Sequence, residues 1–287
     1  MAKPREIPVK NLSNYTEAIE ENLAASRARH PDSLHVGNWY RGCGLGISHK
    51  LNPHLYRHPK IKKIEELLEL ERRMLEDFRR HSVLQEVRGT FEGLDWRFQT
   101  LFFMQHYGVP TRLLDWTGNP FIGLYFALTS AEKKDGKDEY KEDAAVWILD
   151  PVSWNEKALE ELAWKDRGPA LPDDTEIKSY YPRAKYSPTD IKQIYDLPVA
   201  TLGVANNTRM FAQKGVFTIF GKKLDAMERL YESEVFPMEC LVKLVIEKAD
   251  IDELLATLSA IGYTDSVSYP DLHGIALEIK RLHGFGM

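Results

Sequence analysis

The chain has 287 residues, 43% hydrophobic and 11% aromatic, with a net charge of −5 and a pI near 6.0. That apolar content is enough for a full core, and the acidic balance excludes a global basic field that would recruit nucleic acid or an anionic membrane, although a local basic patch could still meet nucleic acid. Two cysteines, Cys43 and Cys240, are too few for a disulfide framework or a thiolate zinc site, and no stretch approaches a membrane span, so the expectation is a cytoplasmic protein.

In chain order, residues 1–34 read as an N-terminal helical cap, with a helix over 15–28 ended by His30-Pro31-Asp32. Trp39-Tyr40-Arg41-Gly42 reads as the end of a strand running into the turn Gly42-Cys43-Gly44-Leu45-Gly46. That turn lacks the spacing and following helix of a dinucleotide fingerprint or a P-loop. His54 and His58 stand four apart, but without a neighbouring carboxylate or thiolate and between Pro53 and Pro59, so no metal is expected there. The spacing of Ile61, Ile64, Leu67, Leu68, Leu75 and Phe78 predicts a helix over 61–80. A second, more buried helix is predicted over 96–107, closed by Gly108 and Pro110. Asn119-Pro120 predicts an N-cap and first turn for a helix reaching Ser130.

Beyond a charged loop at 131–143, Ala144–Leu149 reads as a buried strand, and the proline-punctuated residues 151–200 as an excursion or lid. A short helical or looped segment covers 206–213, and strands are expected over 215–220 and 240–247. Asp250 and Glu253 suggest a capping box for a helix over 251–261, and a last helix follows Pro270 over 271–283. The fold class is α/β or α+β, with a mixed or antiparallel central sheet flanked by helices.

The run Met104 to Pro120 carries the chemistry. It sets His106, Tyr107, Arg112, Asp115, Trp116, Thr117 and Asn119 on what reads as irregular backbone between two helices, the composition a ligand pocket requires. Arg41 suits an anion clamp or a buried partner of Asp115. Arg112 and Asp115 suit substrate binding and acid–base work, or an internal salt bridge. His106 at a helix end is a general base or a backbone-bonded histidine, and Tyr107 and Trp116 stack on a ring or fill the core.

Trp39-Tyr40-Arg41-Gly42, Gln105 to Thr117, Asn119-Pro120 and Leu124-Tyr125-Phe126-Ala127 together resemble the FRG-domain family, from about residue 35 to the C-terminus. Asn207-Thr208-Arg209-Met210, Gln213 to Phe217 and Tyr269 to Gly274 also look like family features, though His273 stands where an acidic residue is expected. The order of parts is more distantly similar to the ADP-ribosyltransferase superfamily. That resemblance implies NAD as co-substrate, with Arg41, flanked by Tyr40 and Gly42, on the phosphates. It further implies that Thr117 and the Asn119 helix support the nicotinamide ribose, and that Gln213, with Arg209 nearby, completes the site. It implies a transferase or glycohydrolase, an activity that would suit a toxin or phage defence, with a macromolecular acceptor the sequence does not name. The charge developed in glycosidic cleavage needs a carboxylate, which neutral Gln213 cannot supply and Asp115 can. The other reading is a non-catalytic module that senses a nucleotide or nucleic acid in the same cleft.

Overall fold

The computed structural model describes residues 3–34, 37–83, 94–203, 208–237 and 239–285, with the backbone alone for 208 and 209. Short apolar runs between turn residues make the strands: β1 (Arg5–Val9), β2 (Trp39–Cys43), β3 (Leu113–Thr117), β4 (Ala144–Leu149), β5 (Val199–Thr201), β6 (Gly215–Ile219) and β7 (Leu241–Ile246). They form one sheet in the order β1-β7-β4-β2-β3-β6-β5. β1 lies parallel to β7, and the other neighbours are antiparallel. The α+β class and the mixed sheet are as the sequence predicts.

Helices occupy α1 (Leu12–Arg29), α2 (Ile64–His81), α3 (Trp96–His106), α4 (Pro120–Thr129), α5 (Pro151–Ala158), α6 (Pro188–Gln193), α7 (Thr208–Ala212), α8 (Met227–Ser233), α9 (Ile251–Ala260), α10 (Asp265–Ser268) and α11 (Leu272–Leu282). The local signals work where they are strongest. Asn119 caps α4 through its side chain, accepting from the Phe121 and Ile122 N–H groups, with Pro120 in the first turn. Gly108 takes φ +77° at the end of α3, and the Gly108 and Val109 N–H groups return to the Gln105 and Met104 carbonyls, closing the helix in a Schellman motif.

Three expectations need correction. The motif between α3 and α4 is not irregular: Leu113–Thr117 is a full strand, paired over its length with β6. Asp250 makes no side-chain cap on α9. The N-terminal segment is more than a helix, since Arg5–Val9 adds an edge strand. Pro8 is tolerated there because an edge strand can spare an N–H. No helix among the described residues is long and apolar enough to cross a membrane.

The sheet is tight everywhere but at one joint. β2 shares five residue pairs with β4, and β3 shares five with β6, yet β2 and β3 share one, Tyr40 with Thr117. Behind the sheet a single core runs across this joint, from Trp39, Trp147 and Leu149 on one half to Leu114, Trp116 and Phe220 on the other. In front, the core is in two pieces. One sets Tyr40, Val146 and Leu244 against Leu124, Tyr125 and Leu128 of α4 and Leu254 of α9. The other sets Leu113, Phe217 and Ile219 against Phe98 and Phe102 of α3.

Candidate functional site

The interval between the two front cores is a cavity of about 580 Å³. Period-2 alternation puts Asp115 and Thr117 on the front face with Leu113, and sends Leu114 and Trp116 to the back. Tyr40, Arg41 and Gly42 border the cavity from β2; Asp115, Trp116 and Thr117 from β3; Gln105 and His106 from the end of α3. Gln213, Tyr269 and His273 arrive from beyond β5. Residues as far apart in sequence as Tyr40 and Leu277 thus meet in one cleft, whose far wall is aromatic: the Phe126 and Tyr269 rings are 5.8 Å apart.

Arg41 stands where the ladder between β2 and β3 stops. Its Nη1 donates to the main-chain carbonyl of Asp115 at 2.6 Å, crossing the split with a side chain where no backbone rung exists. Its Nε is buried without a hydrogen-bond partner, the type of donor a bound anion would satisfy. Burial pushes the neighbouring Cys43 thiol up, with Arg41 pulling the other way.

Asp115 is open to the cavity while protein encloses it on its other sides. This partial removal from water pushes its carboxyl above the ordinary aspartate value; Arg41, a hydrogen bond from Gln105 and His106 act against that. Gln105 Nε2 donates to Asp115 Oδ2 at 2.6 Å, and Gln105 Oε1 accepts from the Thr111 hydroxyl at 2.6 Å. The hydroxyl of Thr117 donates to the carbonyl of Gln213 and accepts from the Asn119 N–H, tying β3 to the approach to β6. Gln213 Nε2 donates to the Ser268 carbonyl at 2.8 Å, which fixes α10 at the cavity. Asp265 is buried and held by Tyr125 and by Arg281. Burial pushes the Tyr40 phenol up to about 12, so it stays a neutral hydroxyl at physiological pH.

Residues 37–136 match the family model described as the FRG domain. An FRG domain is thus present over residues 37–136. No match is found among curated proteins, and none among solved structures. The matched span supplies β2, α3, β3 and α4, hence the Arg41, Gln105, His106 and Asp115 wall. Gln213, Tyr269 and His273 reach the FRG cavity from outside that span.

The Arg41-Gly42 pair of the FRG domain does two jobs on two faces. A Cβ on Gly42 would lie 2.2 Å from the Gly123 carbonyl oxygen and 2.3 Å from the Ala127 nitrogen, so only glycine lets α4 lie this close to β2. Gly42 borders the cavity, but its constraint is packing.

Several expected site residues lie elsewhere. Arg112 is fully buried away from the cavity, its Nε donating to Glu71 at 2.9 Å and its Nη2 to the Tyr180 carbonyl at 2.7 Å. Its partner is therefore Glu71 of α2, neither a ligand nor Asp115. Tyr107 is 68% exposed, with its ring near Phe78 and His106 and outside the cavity. Trp116 meets the cavity only at the strand, since its indole lies in the rear core and donates to Thr218 Oγ1 at 3.2 Å. Asn119 spends its side chain on the helix cap and does not line the cavity. The side chain of Arg209 lies outside the described residues, as do Asn206 and Asn207. No residue of the 151–200 excursion lines the cavity; α10 and α11 stand there instead.

Sequence reasoning missed Gln105, Asp265 and Tyr269 as site residues. Gln105 sits six residues before Thr111 and ten before Asp115, and only the β3 strand geometry brings the three together. For a metal, His30, Glu156 and Asp166 are the group among the described residues whose ligand atoms come within 4.8 Å of one another, remote from this cavity.

Proposed function

We propose that the cleft of the FRG domain binds a nucleotide, and that NAD is the co-substrate of an ADP-ribosyltransferase-like transfer or glycohydrolysis. The observation that carries this reading is the meeting, at a split in the sheet, of Arg41, Asp115, Thr117 and Gln213 in one cavity with an aromatic wall. Arg41 supplies a guanidinium for phosphate. Asp115 supplies the carboxylate that stabilises positive charge growing on a ribose carbon as its glycosidic bond breaks, and His106 beside it supplies a group able to exchange a proton. Thr117 and Gln213, bonded to each other, fix the wall where β3 meets the approach to β6. The rings of Phe126 and Tyr269 offer faces to a planar base. Such an activity would suit a toxin or phage-defence protein acting in the cytoplasm on a macromolecular acceptor.

A second reading has its own support. The Gln213 amide is committed to the Ser268 carbonyl, and Asp265, the other acid in the cavity, is committed to Arg281 and Tyr125. Asp115 is then the carboxylate left to do chemistry. A site with one such acid also suits a module that senses a nucleotide or a nucleic acid without turnover.

Calorimetric titration with NAD, paired with chromatography for released nicotinamide, separates the readings. Saturable binding that Arg41→Ala abolishes and turnover that Asp115→Asn abolishes, in folded variants, establish the transferase or glycohydrolase. Binding that survives in Asp115→Asn, without nicotinamide release by the wild type, establishes the sensing module. No NAD binding by the folded wild type refutes the NAD reading.

A further inference from the structure

The hydrogen atoms around Gln105 can be assigned from donor and acceptor rules alone. The Leu113 N–H, a donor, lies 3.0 Å from Thr111 Oγ1, which must therefore accept. An ionised Asp115 carboxylate only accepts, so Gln105 turns its NH2 toward it, and the amide oxygen at the other end, 2.6 Å from Thr111 Oγ1, takes the Thr111 proton. With its oxygen committed there, the amide presents its NH2 to Asp115 Oδ2 at 2.6 Å. A flipped amide would set its oxygen against a carboxylate oxygen, two acceptors with no proton between them. Thr111 is fully buried, so water cannot relax this arrangement.

We infer that the Leu113–Thr111–Gln105 relay holds Asp115 as an oriented hydrogen-bond acceptor, so that the ligand group seated against it is a donor, such as a sugar hydroxyl, rather than an acceptor such as a phosphate. Gln105 and Thr111 are positioning residues. This deepens the nucleotide reading by saying which end of the ligand meets Asp115, but the relay itself exists without any ligand and is tested without one. The charged and titratable groups that face Asp115 from the surrounding elements are Arg41 from β2 and His106 from α3, with Asp265 of α10 and His273 of α11 across the cavity. Arg41 donates to the main chain of Asp115, and the amide of Gln105 donates to its carboxylate.

The test is titration of the Asp115 carboxyl by carbon-detected NMR in the ligand-free full chain, for the wild type, Thr111→Val, Thr111→Ser and Gln105→Leu. Losing a donor to the ionised form raises the carboxyl pKa. Gln105→Leu is therefore expected to move it upward by on the order of one unit, with Thr111→Val in the same direction and Thr111→Ser matching the wild type. If Thr111→Val fails to fold, Gln105→Leu at the cavity wall carries the test. A wild-type titration curve in folded Gln105→Leu overturns the proposal. NAD binding is scored separately on the wild type: no NAD binding by the wild type with the titration shifts present refutes only the NAD reading, whereas unshifted titration in the variants with NAD still bound by the wild type refutes only the relay.

Discussion

At the scale of single residues, the FRG domain shows how one short motif divides between ligand and core. Asp115 and Arg112 stand three apart in the motif, yet Asp115 faces the cavity while Arg112 is fully buried against Glu71. Burial pushes the Glu71 carboxyl up, and its attraction keeps Arg112 firmly charged. Glu71→Gln leaves that guanidinium without its counter-charge, and a loss of about 3–5 kcal/mol is expected by urea denaturation; a midpoint at the wild-type value would show that the pair is not holding α2 to β3. Asp115→Asn has the opposite expected sign. The folded state holds the Asp115 proton more tightly than the unfolded chain, where the group titrates near ~3.9. As pH rises through that window the unfolded chain releases its proton first, so ionised Asp115 subtracts stability at neutral pH. Asp115→Asn should therefore raise Tm at pH 7, by an increment that shrinks as pH falls toward ~3.9 and is gone below it, and a lower Tm at pH 7 would contradict it. The sequence could name Asp115 and Arg112 as candidates because both are charged among apolar neighbours. It could not pair them, because Glu71 lies on another helix and nothing local points to it.

At the scale of elements, what was legible is what local chemistry controls. Asn119-Pro120 and Gly108 announce the ends of α4 and α3, and both ends are where those residues put them. β3 was not legible, because Leu-Leu-Asp-Trp-Thr shows weak alternation and is flanked by turn residues. It becomes a strand by pairing with β6, about a hundred residues later. Two substitutions test the elements around the cleft. Gly42→Ala must push α4 off β2, and a loss of about 1–3 kcal/mol is expected in thermal or urea unfolding. Wild-type stability would mean that α4 can shift freely. Asn119→Ala should cost about 1 kcal/mol by removing the cap, and Asn119→Ser should recover most of it. If Asn119→Ser instead remains as unstable as Asn119→Ala, the side chain is doing something other than capping.

At the scale of the whole molecule, the site exists because the front core is in two pieces while the rear core is continuous. The FRG match stops at residue 136, yet the cavity is closed by β6, α10 and α11 from the later part of the chain. This is why the motif announced a pocket while Tyr269 and Asp265, far along the chain, went unread. The joint at Tyr40 and Thr117 also makes the sheet mechanically soft along one line. Amides of β2 and β3 that look into the gap lack a rung, so they should exchange with deuterium faster than those of β4, which is paired on both sides. With the rear core acting as a spine, opening motions of the two halves are expected to load Arg41, which is bonded across the gap near that rung. The site is thus also where the sheet is least braced, and a ligand that fills it is expected to stiffen the protein from the inside.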